Sequence, residues 1–133
     1  MNIPAFDPPV EMGIAAPFWD AISNCQLQLP KCSVCQKWQW YPDDSGTCCA
    51  GGTLVWTTVA CTGVVHTFTR VRRAFLSGGA DQVPFVGAFI ELDGVPGVRL
   101  VSNVDYEDIA INDRVHVTFR TINGRQHPVF ARD

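Results

Sequence analysis

Residues 32–49 read CSVCQKWQWYPDDSGTCC and hold four of the chain's six cysteines. Cys32-Ser-Val-Cys35 is a CxxC turn, and Cys48-Cys49 follow after twelve intervening residues. Such a segment is too short and irregular for a hydrophobic core of its own, so something else must hold it together. Zinc takes four thiolates in a tetrahedron, and a CxxC turn delivers two of them from one knuckle. Closing the site would supply the stability the segment lacks. The expectation is one structural zinc held by Cys32, Cys35, Cys48 and Cys49. A standard ribbon ends in a second CxxC, whereas here the second pair is adjacent, so one of the two is expected to be the poorer ligand. A redox pair and unligated thiols are the competing readings. A thioredoxin-like pair needs a βαβ context, which the flanking sequence lacks. A catalytic zinc keeps an open position and favours His or carboxylate ligands; His66, His116 and His127 all lie far along the chain from the knuckles. Cys25 and Cys61 fall outside the cluster, in an expected helix and an expected strand, and read as buried structural residues.

Upstream of this stretch, APFWDAISNCQLQ carries Phe18, Trp19, Ile22 and Cys25 at helical spacing. Pro17 suits a first turn, and the helix should stop before Pro30. Residues 1–13 contain Pro4, Pro8 and Pro9 and no period, so they read as an extended arm. Downstream the pattern changes to strands. LVWTTVACTGVVHTFTRVRR is β-branched and aromatic, with a break at Gly63. PFVGAFIEL, VRLVSNV, RVHVTFRTI and PVFAR read as four more strands, with turns at Gly78-Gly79, Asp93-Gly94 and Asn123-Gly124. DYEDI reads as a single helical turn. The fold class is therefore mainly β. The expected layout is an N-terminal arm and helix over 1–29, a rubredoxin-like zinc ribbon over 30–53, and a small OB-fold β-barrel over 54–133. Val64, Val86, Phe89, Val101, Val115 and Val117 are expected in the apolar wall of that barrel.

The chain has 133 residues, 47% of them apolar and 17% charged, so it is not a disordered chain. No apolar run is long enough to cross a bilayer as a helix. The opening MNIPAFDPPVEMG has no Lys, no Arg and no apolar core, unlike a secretory signal, and a cytoplasmic location is expected. Net charge is −3, and the cationic residues are uneven: residues 1–60 hold two, while residues 61–133 hold eight arginines. A net acidic chain lacks the basic footprint of a nucleic-acid binder. No GxSxG, HExxH, P-loop or GxGxxG occurs, so no catalytic residues are assigned.

Trp38, Trp40 and Tyr41 sit between the knuckles. They can plug a seam between ribbon and barrel, anchor a partner protein, or stack on a ligand. Arg70, Arg72 and Arg73 end the first long strand, with Arg70 and Arg72 on one face by alternation. Arginines bind phosphates well, so these read either as a coenzyme A phosphate contact or as a solvated sheet edge. Phe75 opens the loop from Ala74 to Val83 and could reach a partner.

The order of these pieces resembles a known family. PFWDAI, CSVC, WQWYP, a second knuckle, TGVVHTFTRV, VPFVGAFIELDG and VHVTF run in the sequence of the zinc-ribbon plus OB-fold proteins once called domain of unknown function 35, also described as acyl-CoA-associated. The resemblance covers about Pro17 to Phe130. Counted back from Trp56, Cys49 falls at the family's last cysteine and Gly46 at its third, so Cys48 is displaced. The resemblance implies a non-catalytic accessory subunit of a thiolase-like acyl-CoA enzyme acting in thiolysis, retro-aldol cleavage or acyl transfer. The partner would carry the chemistry, in a heterotetramer or larger assembly, with acyl-CoA at the interface. OB-folds also bind single-stranded nucleic acid, and that is the alternative reading.

Overall fold

The computed structural model describes residue 3 and residues 13–43, 46–74 and 83–133. A 3₁₀ turn at Gly13–Ala15 leads into helix α1 (Ala16–Ser23), with Pro17 in its first turn, where a missing N–H costs nothing. The helix ends earlier than its apolar spacing suggests. Asn24, Cys25 and Gln26 donate their N–H groups to Ala21, Ile22 and Ala21 carbonyls, closing the last turn. Cys25 takes the left-handed conformation (φ 57°) that this closure demands. Cys25 is therefore exposed rather than buried, because the turn points it away from the core.

Pro30 lies inside a strand. β1 (Leu27–Cys32) pairs antiparallel with β2 (Leu54–Val59), from Leu27 opposite Val59 to Cys32 opposite Leu54. Proline is tolerated here because a two-stranded sheet is all edges. This corrects one expectation: the stretch from Leu54 to Val59 belongs to the ribbon sheet rather than to the barrel.

The barrel begins at Thr62. It comprises β3 (Thr62–Val71), β4 (Phe85–Leu92), β5 (Arg99–Val104), β6 (Arg114–Ile122) and β7 (Arg125–Arg132). The strands close in the order β3-β4-β5-β7-β6, with β6 returning to β3. Among the described residues only the β5–β7 pairing is parallel, and it spans two residue pairs. That order is the five-stranded Greek-key barrel of the OB-fold. Asn123 and Gly124, at φ 52° and 78°, make the tight turn between β6 and β7. DYEDI forms bends between β5 and β6 rather than a helical turn.

One apolar core runs through the chain. Val65, Val86, Ile90, Leu92, Leu100, Val104, Val115 and Phe130 fill the barrel, and Phe18, Ile22, Leu27 and Leu29 continue it under the helix and ribbon. Val86, Val115 and Val117 point inward as expected. Phe89 and Val101 do not: they face each other across β4 and β5 on the outer surface, 44% and 49% exposed. Ala88, Ile90 and Leu100 take the inner positions, since neighbours along a strand alternate faces. Val64 is half-buried, and Val65 takes the core position beside a bulge between Val65 and Thr67. Gly63 is not a break but a close approach within β3. A side chain there would lie 2.5 Å from the Glu91 carbonyl.

Candidate functional site: a four-cysteine cluster beside an aromatic groove

The first knuckle is built by backbone hydrogen bonds. The Cys32 N–H donates to the Lys37 carbonyl at 2.8 Å, the Gln36 N–H to the Cys32 carbonyl at 2.9 Å, and the Val34 N–H to Cys32 Sγ at 3.4 Å. Gln36 closes the turn at φ 64°. The second knuckle is fastened to the first from the far side, where Ser33 N–H donates to the Thr53 carbonyl and Thr53 N–H to Ser33 Oγ, both at 3.0 Å. Gln39 spans the hairpin, its side-chain amide donating to the Gly46 carbonyl at 2.8 Å.

These turns bring together all four cysteines singled out by the spacing. The Sγ atoms of Cys32, Cys35, Cys48 and Cys49 lie within 4.8 Å of one another. Cys35 Sγ is 3.2 Å from Cys48 Sγ, and Cys48 Sγ is 3.9 Å from Cys49 Sγ. A tetrahedral zinc about 2.3 Å from each sulfur sets its ligands about 3.8 Å apart, so the donor set and its size are compatible with zinc. The displaced Cys48 is part of the cluster: its sulfur meets that of Cys35 although it does not occupy the usual CxxC position.

The charges favour the same reading. The Thr47 hydroxyl, with the N–H groups of Cys35 and Val34, holds the Cys32 thiol down at about 6. The Lys37 N–H and then the Cys48 thiol lower that of Cys35. Cys48 and Cys49 are pushed up, chiefly by Cys35, Cys49 to about 12. Two thiols ionise readily and the other two resist, because Cys48 and Cys49 are held as thiols chiefly by hydrogen bonding to the Cys35 sulfur and then by desolvation. A dication at the centre removes that resistance and lets all four act as ligands. Two supporting residues carried no signal in the spacing. Thr47 Oγ1 donates to the Cys49 carbonyl at 2.9 Å, and Gly52 packs so closely that a Cβ there would sit 2.2 Å from Thr47 Oγ1 and 3.0 Å from Cys32 Sγ.

The aromatic residues divide. Trp38 packs under the Lys31 ammonium, 5.2 Å from its ring centre, and forms a bridge to β1. Trp40 rests on Phe18 of α1, with ring centres 4.9 Å apart, and so plugs the seam between ribbon and helix. Tyr41 stacks on Trp40 at 4.8 Å but is 64% exposed. Together with Trp19, Val101 and His127, the rings of Phe18, Trp40 and Tyr41 line a groove of about 310 Å³ between helix, ribbon and barrel. Buried His127 meets the edge of Trp19 on its wall.

The arginines lie elsewhere. Arg70 and Arg72 share one face, as alternation implies, and border a second groove with Phe85, Glu107 and Asp108. Arg70 donates to the Glu107 carbonyl at 2.9 Å and lies over Phe68, while Arg72 and Arg73 are exposed. That groove mixes both signs of charge. Phe75 lies outside the described residues, as does most of its loop. No helix among the described residues is long and apolar enough to cross a membrane.

Fold and site together define an OB-fold barrel that carries a four-cysteine ribbon on its N-terminal side. Residues 56–120 match the family model described as ChsH2, C-terminal OB-fold domain. Among solved structures, a chain of the "Ltp2-ChsH2(DUF35) aldolase" is similar over 94% of this chain and 98% of its own, with a TM-score of 0.78 and 23% sequence identity. A comparison with curated proteins finds no match.

Proposed function

We propose that this chain is a non-catalytic, zinc-binding accessory subunit of a thiolase-like acyl-CoA enzyme. Zinc would be held by Cys32, Cys35, Cys48 and Cys49 in a structural role, one ion per chain. The observation that carries the reading is the likeness, from ribbon through barrel, to a chain of the Ltp2-ChsH2(DUF35) aldolase. Two features support it. The cysteine cluster ties Cys32 and Cys35 to Cys48 and Cys49 across a hairpin, which is what a structural metal does. An exposed Tyr41 beside the exposed Phe89–Val101 pair offers aromatic and apolar surface of the kind protein interfaces use.

In this reading the partner brings the catalytic groups for thiolysis, retro-aldol cleavage or acyl transfer, and the accessory chain steadies it and borders its acyl-CoA site. Arg70, Arg72 and Arg73 are exposed cations that could meet coenzyme phosphates, in a cytoplasmic heterotetramer with two copies of each chain. The test is to express the chain with and without a thiolase-like protein encoded beside it and measure mass and acyl-CoA turnover. A stable hetero-oligomer whose activity needs both chains is expected, and Tyr41→Ala should weaken it. A monomer that turns over acyl-CoA unaided would overturn the proposal.

A further inference from the structure

We propose that Cys35 and Cys48 are the pair through which this cluster exchanges its metal for a disulfide when it meets a hydroperoxide. The inference rests on the zinc-site reading above and concerns which sulfurs react. Cys32 is buried and Cys49 half-buried, whereas Cys35 and Cys48 are both exposed. These two are also in contact, their Sγ atoms 3.2 Å apart, so the attacking and resolving sulfurs need little movement. The other candidate pairs fit less well. Cys48 and Cys49 are chain neighbours with sulfurs 3.9 Å apart, and bonding them would close a strained ring within one knuckle. Cys32 is buried, so a peroxide reaches its sulfur less easily than that of Cys48.

The choice of pair decides what survives. Cys35 belongs to the first knuckle and Cys48 to the second, so their disulfide would tie the same two knuckles that the metal ties. The hairpin carrying Trp38, Trp40 and Tyr41 would remain closed after the ion left. A bond within either knuckle would release it.

The step balances. The Cys35 thiolate attacks one peroxide oxygen, the O–O bond breaks, and a sulfenic acid forms while the other oxygen leaves as water after protonation. The Cys48 thiolate then attacks that sulfur and displaces hydroxide, which is protonated to a second water. Two thiolates are oxidised to one disulfide and hydrogen peroxide is reduced to two waters, with uptake of two protons. With Cys35 and Cys48 no longer thiolates, Cys32 and Cys49 alone would not complete a tetrahedron around zinc, whose oxidation state the step would leave unchanged.

The test uses the full chain, with its zinc first quantified by elemental analysis. A chain that arrives without zinc, freshly made and reduced, overturns the metal reading and this proposal with it. A zinc-loaded chain is titrated with hydrogen peroxide. Released zinc is followed with a chromogenic chelator, disulfides are mapped by non-reducing digestion and mass spectrometry, and near-ultraviolet circular dichroism reports on the tryptophans. The expected result is loss of the ion in step with one Cys35–Cys48 disulfide, a mass lower by two hydrogens, a retained tryptophan signal, and reversal by thiol reductant plus zinc. Cys25, exposed and outside the cluster, serves as the internal control. Full oxidation of Cys25 while the cluster keeps its zinc would overturn the proposal, and so would a first disulfide within one knuckle. Cys48→Ser should abolish the disulfide; if that variant fails to fold, the map of the unaltered chain still decides.

Discussion

Gly52→Ala tests the cluster's geometry without touching a sulfur. A Cβ at Gly52 would lie 2.2 Å from Thr47 Oγ1, 3.0 Å from Cys32 Sγ and 3.1 Å from the Cys49 carbonyl. The first distance is about an ångström inside ordinary contact, so Thr47 must move. Thr47 Oγ1 donates to the Cys49 carbonyl at 2.9 Å and accepts from the Cys49 N–H at 3.3 Å, so moving it unfastens the second knuckle. Overpacking of this kind costs about 1–3 kcal/mol. Disturbing groups that orient metal ligands costs about 10–100-fold in affinity. Zinc affinity of Gly52→Ala, measured by competition with a chromogenic chelator, should fall by that factor. Thr47→Ala removes the closest obstacle, so the double variant should lose less than the two single losses added together. Unchanged zinc affinity in Gly52→Ala, or strict additivity in the cycle, would refute the packing argument.

Gly63→Ala should destabilise the barrel by about 1–3 kcal/mol in urea unfolding, because its Cβ would meet the Glu91 carbonyl at 2.5 Å and backbone cannot step aside. Cys25→Gly should stabilise the chain by about 0.5–1 kcal/mol, since glycine takes the left-handed turn after α1 without strain. The Arg114 guanidinium and then the Thr62 hydroxyl hold the Asp93 carboxyl down at about 2, and Arg132 lowers that of Asp108. Groups depressed in the folded chain add stability that is present above their ordinary value and lost as pH falls through the folded one. Stability should therefore decline from near pH 4 towards pH 2, and Asp93→Asn should flatten that decline in an acid unfolding series.

How much was legible in the residues themselves depends on the range of the interaction. The cysteine cluster was readable because a CxxC turn and a second cysteine pair lie twelve residues apart, a spacing that a turn-rich hairpin can close. The strands from Phe85, Arg99 and Arg114 were readable from β-branched runs bounded by turns, and Asn123-Gly124 marked its hairpin by its own conformational preference. Strand partners and faces were not. Val59 and Thr62 are nearly adjacent along the chain, yet β2 joins β1 while β3 joins β4 and β6, a choice made by distant edges. In FVGAFI both alternate sets contain apolar residues, so periodicity alone could not tell Phe89 from Ile90, and the barrel's closure put Ile90 inside. Thr47 and Gly52 show nothing unusual in sequence; their roles arise only where two knuckles approach within ångströms. Short loops and local dihedral preferences determine themselves, whereas pairing, facing and close packing are settled by residues that meet only after the chain has closed.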